Sequence, residues 1–180
     1  MYPIQKFCDK FHACRDGMHW ALANCKSMQE VWDTSPDNWL MWIATRPKVL
    51  TNRNIFKTMY WILVRLEKHL EKHSNRDIIY ILKQHYVSTL ERTEIEKAHT
   101  KAWDIVQQMR NNGDLDNIEA ARAGAIALDF VCGTHLYNVL FNVSLRVRIC
   151  INNEEFNHEQ SKYLRDNFKP NFEEEKGHEV

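Results

Sequence analysis

Residues 117–151 read NIEAARAGAIALDFVCGTHLYNVLFNVSLRVRICI. One apolar stripe runs through Ile118, Ala121, Ala125, Leu128, Cys132, Leu136, Val139, Val143 and Val147. A second runs through Ile126, Phe130, Tyr137, Phe141 and Leu145. Steps of three and four residues mark one face of an α-helix. Two such stripes on one helix predict neighbours on more than one side. The first half is rich in small residues (Ala120, Ala121, Ala123, Gly124, Ala125, Ala127, Gly133), which let another helix approach closely. Asp116 with Glu119 is spaced to cap its start. The pattern predicts a long central helix near 117–151.

The flanking sequence supplies further helices. Thr93 with Glu96 is spaced to open one that carries Ile95, Ala98, Ala102, Ile105, Val106 and Met109 on one face. Asn112-Gly113 ends it, because glycine tolerates the left-handed stop. Ser74 with Asp77 opens another with Ile78, Leu82, Tyr86 and Leu90. Thr51 caps a helix through His73, with Ile55, Met59, Ile62, Leu63, Leu66 and Leu70 at helical spacing. Ser27-Met28-Gln29-Glu30 is a capping box, in which the serine accepts from the third backbone N–H and the glutamate reaches back. Ser35-Pro36 places a cap before a proline at the first helical position, where the missing N–H costs nothing. A last helix spans about Glu154–Asn167.

The chain holds only 5 glycines and 4 prolines, and residues 48–169 contain no proline. Helix breakers are therefore scarce. The fold expected is all-α: a single-domain bundle of about six to eight helices over residues 1–168. A polar tail at 169–180, with Glu173, Glu174 and Glu175, is expected to fray.

The 180 residues balance 24 Lys and Arg against 24 Asp and Glu, for a net charge of zero. That argues against a nucleic-acid binder, which wants a basic face, and against an acidic mimic of DNA. The longest apolar run, Met59–Val64, is far short of the ~20 residues a spanning helix needs. MYPIQKF does not resemble a signal peptide. No membrane association is expected. Cys8, Cys14, Cys25, Cys132 and Cys150 are odd in number and form no CxxC, so free thiols in a reducing, cytoplasmic setting are expected.

Enzyme motifs are absent: no GxSxG, phosphate loop, GxGxxG or HExxH occurs. His69 and His73 lie four apart on one helical face and have the spacing to share a metal. Their intervening glutamate is misplaced for a metalloprotease, and a helix C-terminus favours histidines in any case. Cys8 and His12 offer ligand types without the spacing of a structural zinc site. Cys132 with His135 forms a candidate thiolate–imidazole pair, but no oxyanion arrangement accompanies it. No metal or other cofactor is expected. Arg146 and Arg148 are two apart, on different helical faces, and form no patch.

The N-terminal third is unusually aromatic, with Trp20, Trp32, Trp39 and Trp42 close together. Each has a large apolar body and an indole N–H that needs a partner. Tryptophan is enriched at interface hot spots. Trp32, Trp39 and Trp42 are therefore the candidate partner-binding residues. Base stacking there lacks basic residues, since Trp32–Trp42 carries acids and no lysine or arginine.

Three pieces of the chain resemble a family. The first is Cys14-Arg15-Asp16-Gly17-Met18-His19-Trp20-Ala21, followed by Val31-Trp32-Asp33-Thr34-Ser35-Pro36 and Asp37-Asn38-Trp39-Leu40-Met41-Trp42-Ile43. The second is Ala102-Trp103 through Asn112-Gly113, then the alanine-rich Ile118–Ala125. The third is Glu159-Gln160-Ser161-Lys162-Tyr163-Leu164-Arg165. In this order they resemble the small helical immunity proteins of the Imm-five-like group, met in bacterial genomes and in phages. The resemblance covers most of the chain and carries over no catalytic residue. It implies a protein that binds and neutralises or modulates another protein, in toxin immunity or phage counter-defence. The alternative from another class is a metal-dependent or thiol enzyme using His69 and His73, or Cys132 and His135.

Overall fold

The computed structural model describes residues 3–66, 76–87, 90–133, 139–151 and 154–172. Among these residues the protein is all-α, with ten helices and no strand. They are α1 (Ile4–Phe11), α2 (Arg15–Asn24), α3 (Met28–Thr34), α4 (Asp37–Ala44) and α5 (Asn52–Val64). There follow α6 (Arg76–Val87), α7 (Arg92–Asn112), α8 (Leu115–Val131), α9 (Val139–Ile151) and α10 (Glu154–Asn167).

Ten helices exceed the six to eight expected. One reason is that 117–151 is two helices rather than one long one. Gly133 adopts φ 79° just after Cys132, and its N–H donates to Phe130 O at 3.1 Å. That left-handed residue ends α8. The apolar stripes run on because α8 and α9 pack on each other, so both halves need the same inward spacing. Periodicity reports the buried face and is blind to a turn that keeps it.

The central role expected of this segment holds for α8. Ala120, Ala121, Ala123, Ala125, Ala127 and Leu128 are all buried, which places apolar surface on every side of the helix. Helices α5, α6, α7 and α9 surround it. At Gly124 an added Cβ would lie 2.8 Å from Ile78 Cδ1 and 3.2 Å from its Cγ2. The missing side chain is what lets α6 sit on α8.

Local capping explains several boundaries. Ser27 Oγ accepts from Glu30 N (3.2 Å) at the start of α3, while Glu30 Oε2 accepts from Lys26 N. The box thus closes one residue earlier than the motif predicts. Thr51 Oγ1 accepts from Asn54 N (3.2 Å) and starts α5. That helix ends at Val64, with Arg65 as its C-cap; residues 67–73 of the segment expected through His73, and the Ser74 cap, lie outside the described residues. Gly113, at φ 72°, closes α7 as its sequence predicts. Thr93 does not cap α7, which starts one residue earlier at Arg92; Glu96 pairs instead with Arg92 (2.8 Å). The helix α8 starts at Leu115, before Asp116, and Glu119 bridges Arg122 and Arg146. That carboxylate ties α8 to α9.

Ser35 does not cap α4. It closes α3, and its carbonyl accepts from Arg165 Nη2 at 2.5 Å. Arg165 Nε donates to Trp32 O at 3.0 Å. A cation from α10 therefore satisfies the carbonyl end of α3, where the helix dipole favours positive charge. The end of the chain is anchored as well. Asn171 N donates to Val49 O (2.9 Å), and Phe172 is buried with its ring 6.3 Å from Trp32 and 5.9 Å from Phe7. Residues 169–172 thus do not fray, because Phe172 completes the aromatic core. Residues 173–180 lie outside the described ones.

Two outcomes follow. Arg165→Ala leaves two helix-end carbonyls without their charged donor and lowers unfolding free energy by about 2–3 kcal/mol in urea melts. Arg165→Lys recovers less than half of this, because an ammonium cannot span both acceptors as a guanidinium does. Gly124→Leu forces α6 off α8 and costs about 2 kcal/mol, seen by calorimetry as a melting temperature lower by about 5 °C.

Candidate functional site

Helices α1 to α4 are short, of 7 to 10 residues. Isolated helices of this length are not stable in water, so they depend on shared apolar contacts. Their large rings do not close completely. Between α1, α2, α4 and α9 they leave a cavity of about 270 Å³. Its inner surface is apolar, with Phe7, Ala21, Met28, Val31 and Ile43. Trp20, Trp39, Trp42 and Phe141 form its walls.

The walls are fixed by edge-on ring contacts. Trp20 and Trp39 lie 5.4 Å apart at 63°. Trp42 and Phe7 lie 6.3 Å apart at 82°. The Arg46 guanidinium sits 4.7 Å over the Trp42 ring and donates to the Trp42 carbonyl. Gly17 presents bare backbone: a Cβ there would lie 3.6 Å from the Trp39 ring and 3.2 Å from Cys14 Sγ. A Cβ there would meet the Trp39 ring at ordinary contact distance and crowd Cys14 Sγ. The polar edge is Arg148 of α9, whose Nη1 donates to Asn38 Oδ1 at 3.1 Å.

Of the three tryptophans expected to bind a partner, Trp39 and Trp42 are half-buried and line this cleft. Trp32 does not reach it. Only 1% of its surface is exposed, because α3 turns it inward against Phe172. Phe141 and Arg148 have no signal in the N-terminal sequence, since α9 brings them from a hundred residues away. Arg146 and Arg148 form no patch, one pairing with Glu119 and the other with Asn38.

The other candidate chemistry divides differently. His69, His73 and His135 lie outside the described residues. Among the described residues, no three or more His, Cys, Asp or Glu side chains gather where a metal ion could sit. Cys132 is half-buried, and burial pushes its thiol pKa up, with Asp129 and Glu96 adding to the shift and Arg92 opposing it. A thiolate nucleophile needs the reverse. A polar cluster that sequence reading missed lies beside it. Asp129 Oδ1 accepts from His99 Nε2 (2.5 Å) and from Trp103 Nε1 (3.1 Å), joining α7 to α8. Periodicity could not find it, because the partners are 26 and 30 residues apart on separate helices.

No protein-family model, no curated protein and no solved structure matches this chain. Among the described residues, no helix is long and apolar enough to cross a membrane.

The thiols give a test of the site's electrostatics. Cys14 is exposed at the cleft, whereas Cys150 is pushed up to about 11, chiefly by burial, with Glu119 adding and Arg146 opposing. At pH 8 only about one Cys150 thiol in a thousand is ionised. Iodoacetamide at pH 8 therefore modifies Cys14 first, read by peptide mass spectrometry. Modification of Cys150 accelerates about tenfold per pH unit towards 11, because its thiolate fraction is still climbing there.

Proposed function

We propose that this chain is a non-enzymatic protein binder that neutralises or modulates a partner protein, of the toxin-immunity or phage counter-defence type. The observation that supports it is the preformed apolar cleft with Trp20, Trp39 and Trp42 at its walls and Arg148 at its rim. Tryptophan in a desolvated pocket with a polar edge is the usual composition of an interface hot spot. Among the described residues the cleft is lined by two thiols, Cys8 and Cys14, and by no His, Asp or Glu; burial and the nearby Asp9 push the Cys8 thiol up. The resemblance to immunity proteins points the same way. A thiol enzyme at Cys132 has less behind it, given the raised pKa of that thiol.

In this reading the partner inserts an apolar side chain between Trp39 and Trp42, and blocking is steric over roughly 1,600 Å² of buried surface. Trp39 is the anchor, since it is half-exposed and rests on the bare backbone of Gly17. Trp39→Ala weakens binding by about 2 kcal/mol or more, roughly thirtyfold. The tagged protein, the Trp39→Ala variant and a Tyr80→Ser control at an exposed site on α6 are compared in affinity capture from bacterial and phage-infected lysates. The expected result is one partner held at micromolar concentration by the native chain and the control and lost by Trp39→Ala. Equal recovery by all three, or recovery by none, overturns the proposal.

A further inference from the structure

The zero net charge hides an uneven distribution. From Asn38 to Leu66 the sequence contains no acid and five bases: Arg46, Lys48, Arg53, Lys57 and Arg65. The remainder of the chain accordingly carries five more acids than bases. Three of these bases line one helix and its end. Along α5 and its C-cap, Arg53, Lys57, Tyr60, Trp61, Val64 and Arg65 fall at helical spacing on the outward side, opposite the buried Ile55, Phe56, Met59, Ile62 and Leu63. Val64 is 37% exposed among them, and Tyr60 and Trp61 are half-exposed.

This face borders two cavities along the seam between α5 and the end of α10. One, of about 510 Å³, is lined by Lys57, Tyr60, Trp61 and Arg65 with Tyr163 and Asn167. The other, of about 520 Å³, lies at the start of α5 and includes Arg46, Lys48, Asn52, Asn54, Lys169 and Asn171. Lys169 thus joins from the far end of the chain. Among the described residues, neither cavity has an acidic lining residue. The exposed Glu159 carboxylate pairs with Arg65 Nε at 3.3 Å.

The Arg65 guanidinium lies 3.3 Å from the centre of the Trp61 ring, and that ring stacks on Tyr163 at 4.5 Å and 17°. Arg65 Nη1 also donates to the Trp61 carbonyl. The guanidinium is therefore held over the ring, with its side chain partly exposed. A guanidinium plane accepts a nucleobase much as an aromatic ring does. Cations interleaved with rings and amide side chains in a groove are what single-stranded nucleic acid requires: phosphate neutralisation, a stacking platform and hydrogen bonds. An acidic protein would use the cations and leave the partly exposed Arg65 plane, already backed by Trp61 and Tyr163, without a stacked partner.

We infer that the outward face of α5, with Lys169 and Asn167, is a binding surface for single-stranded nucleic acid, separate from the aromatic cleft. The test is fluorescence anisotropy of a labelled twelve-nucleotide oligo(dT) or oligo(U) with the full-length protein. Micromolar binding at low salt is expected. Its log–log salt slope is near −3, for about four phosphates neutralised. Arg53→Glu with Lys57→Glu lowers affinity at least tenfold, and the milder Arg53→Gln with Lys57→Gln lowers it less. Both keep the native melting temperature, since these side chains lie outside the core. Arg92→Glu, on exposed α7, leaves binding unchanged. Three results would each overturn the inference: no binding at 100 μM protein and low salt, equal binding by the reversed variant, or equally tight binding of poly-glutamate or of the duplex.

Discussion

The cation at the end of α3 holds the two ends of the chain together. Arg165 donates to Trp32 O and Ser35 O, acceptors at the close of a helix of seven residues. Its Nη1 also faces Asp37 Oδ1 at 3.9 Å, at the start of the next helix. One guanidinium therefore meets the negative end of α3 and the first-turn carboxylate of α4. A short helix has little stability of its own. The corner formed by α3 and α4 thus depends on a side chain supplied by the closing helix. Phe172 and the Asn171–Val49 hydrogen bond continue the same clamp into the core.

The aromatic cleft is a consequence of that arrangement. Four short helices carry more ring surface than they can bury among themselves. Trp32 is covered because Phe172 arrives beside it; Trp39 and Trp42 are left half-covered on the other side of α4, where Phe141 and Arg148 complete the wall. The basic face of α5 lies on a separate part of the surface and arises differently. It is an ordinary amphipathic helix whose solvent side happens to carry no acid. In the proposed roles, the cleft would select by shape and apolar area, and the α5 face through charge, screened over about 10 Å at 0.1 M salt. The two surfaces therefore answer to different conditions.

Much of the helical layout is legible in the sequence. Ser27, Thr51 and Gly113 act where their chemistry places them, because a cap is satisfied within three or four residues. The inward faces of α7 and α8 follow the apolar spacing for the same reason. Where a pair of polar residues had two possible uses, local spacing misled. Glu119 bonds Arg122 and Arg146 in preference to a cap, since a carboxylate between two guanidiniums gains more than one at an N–H. Ser35 gives its carbonyl to Arg165, while its buried hydroxyl finds no partner among the described residues. Gly133 reads as one more small residue in an apolar stripe, and only the packing of α9 back on α8 makes it a stop.

The sequence by itself determined that the protein is helical, where α3 and α5 begin and α7 ends, which side of α7 and α8 is apolar, and that one stretch is free of acids. These are properties of residues within one or two turns of each other, and backbone geometry turns them directly into structure. Only the tertiary structure decided which tryptophans stay near the surface, that the long central helix folds back as a pair, and which far-off cation closes α3. Each of those depends on groups brought together across 100 residues or more, or on a choice between partners. No local period encodes such a choice; it is settled by which pairing leaves the fewest buried polar groups and the least apolar surface in water.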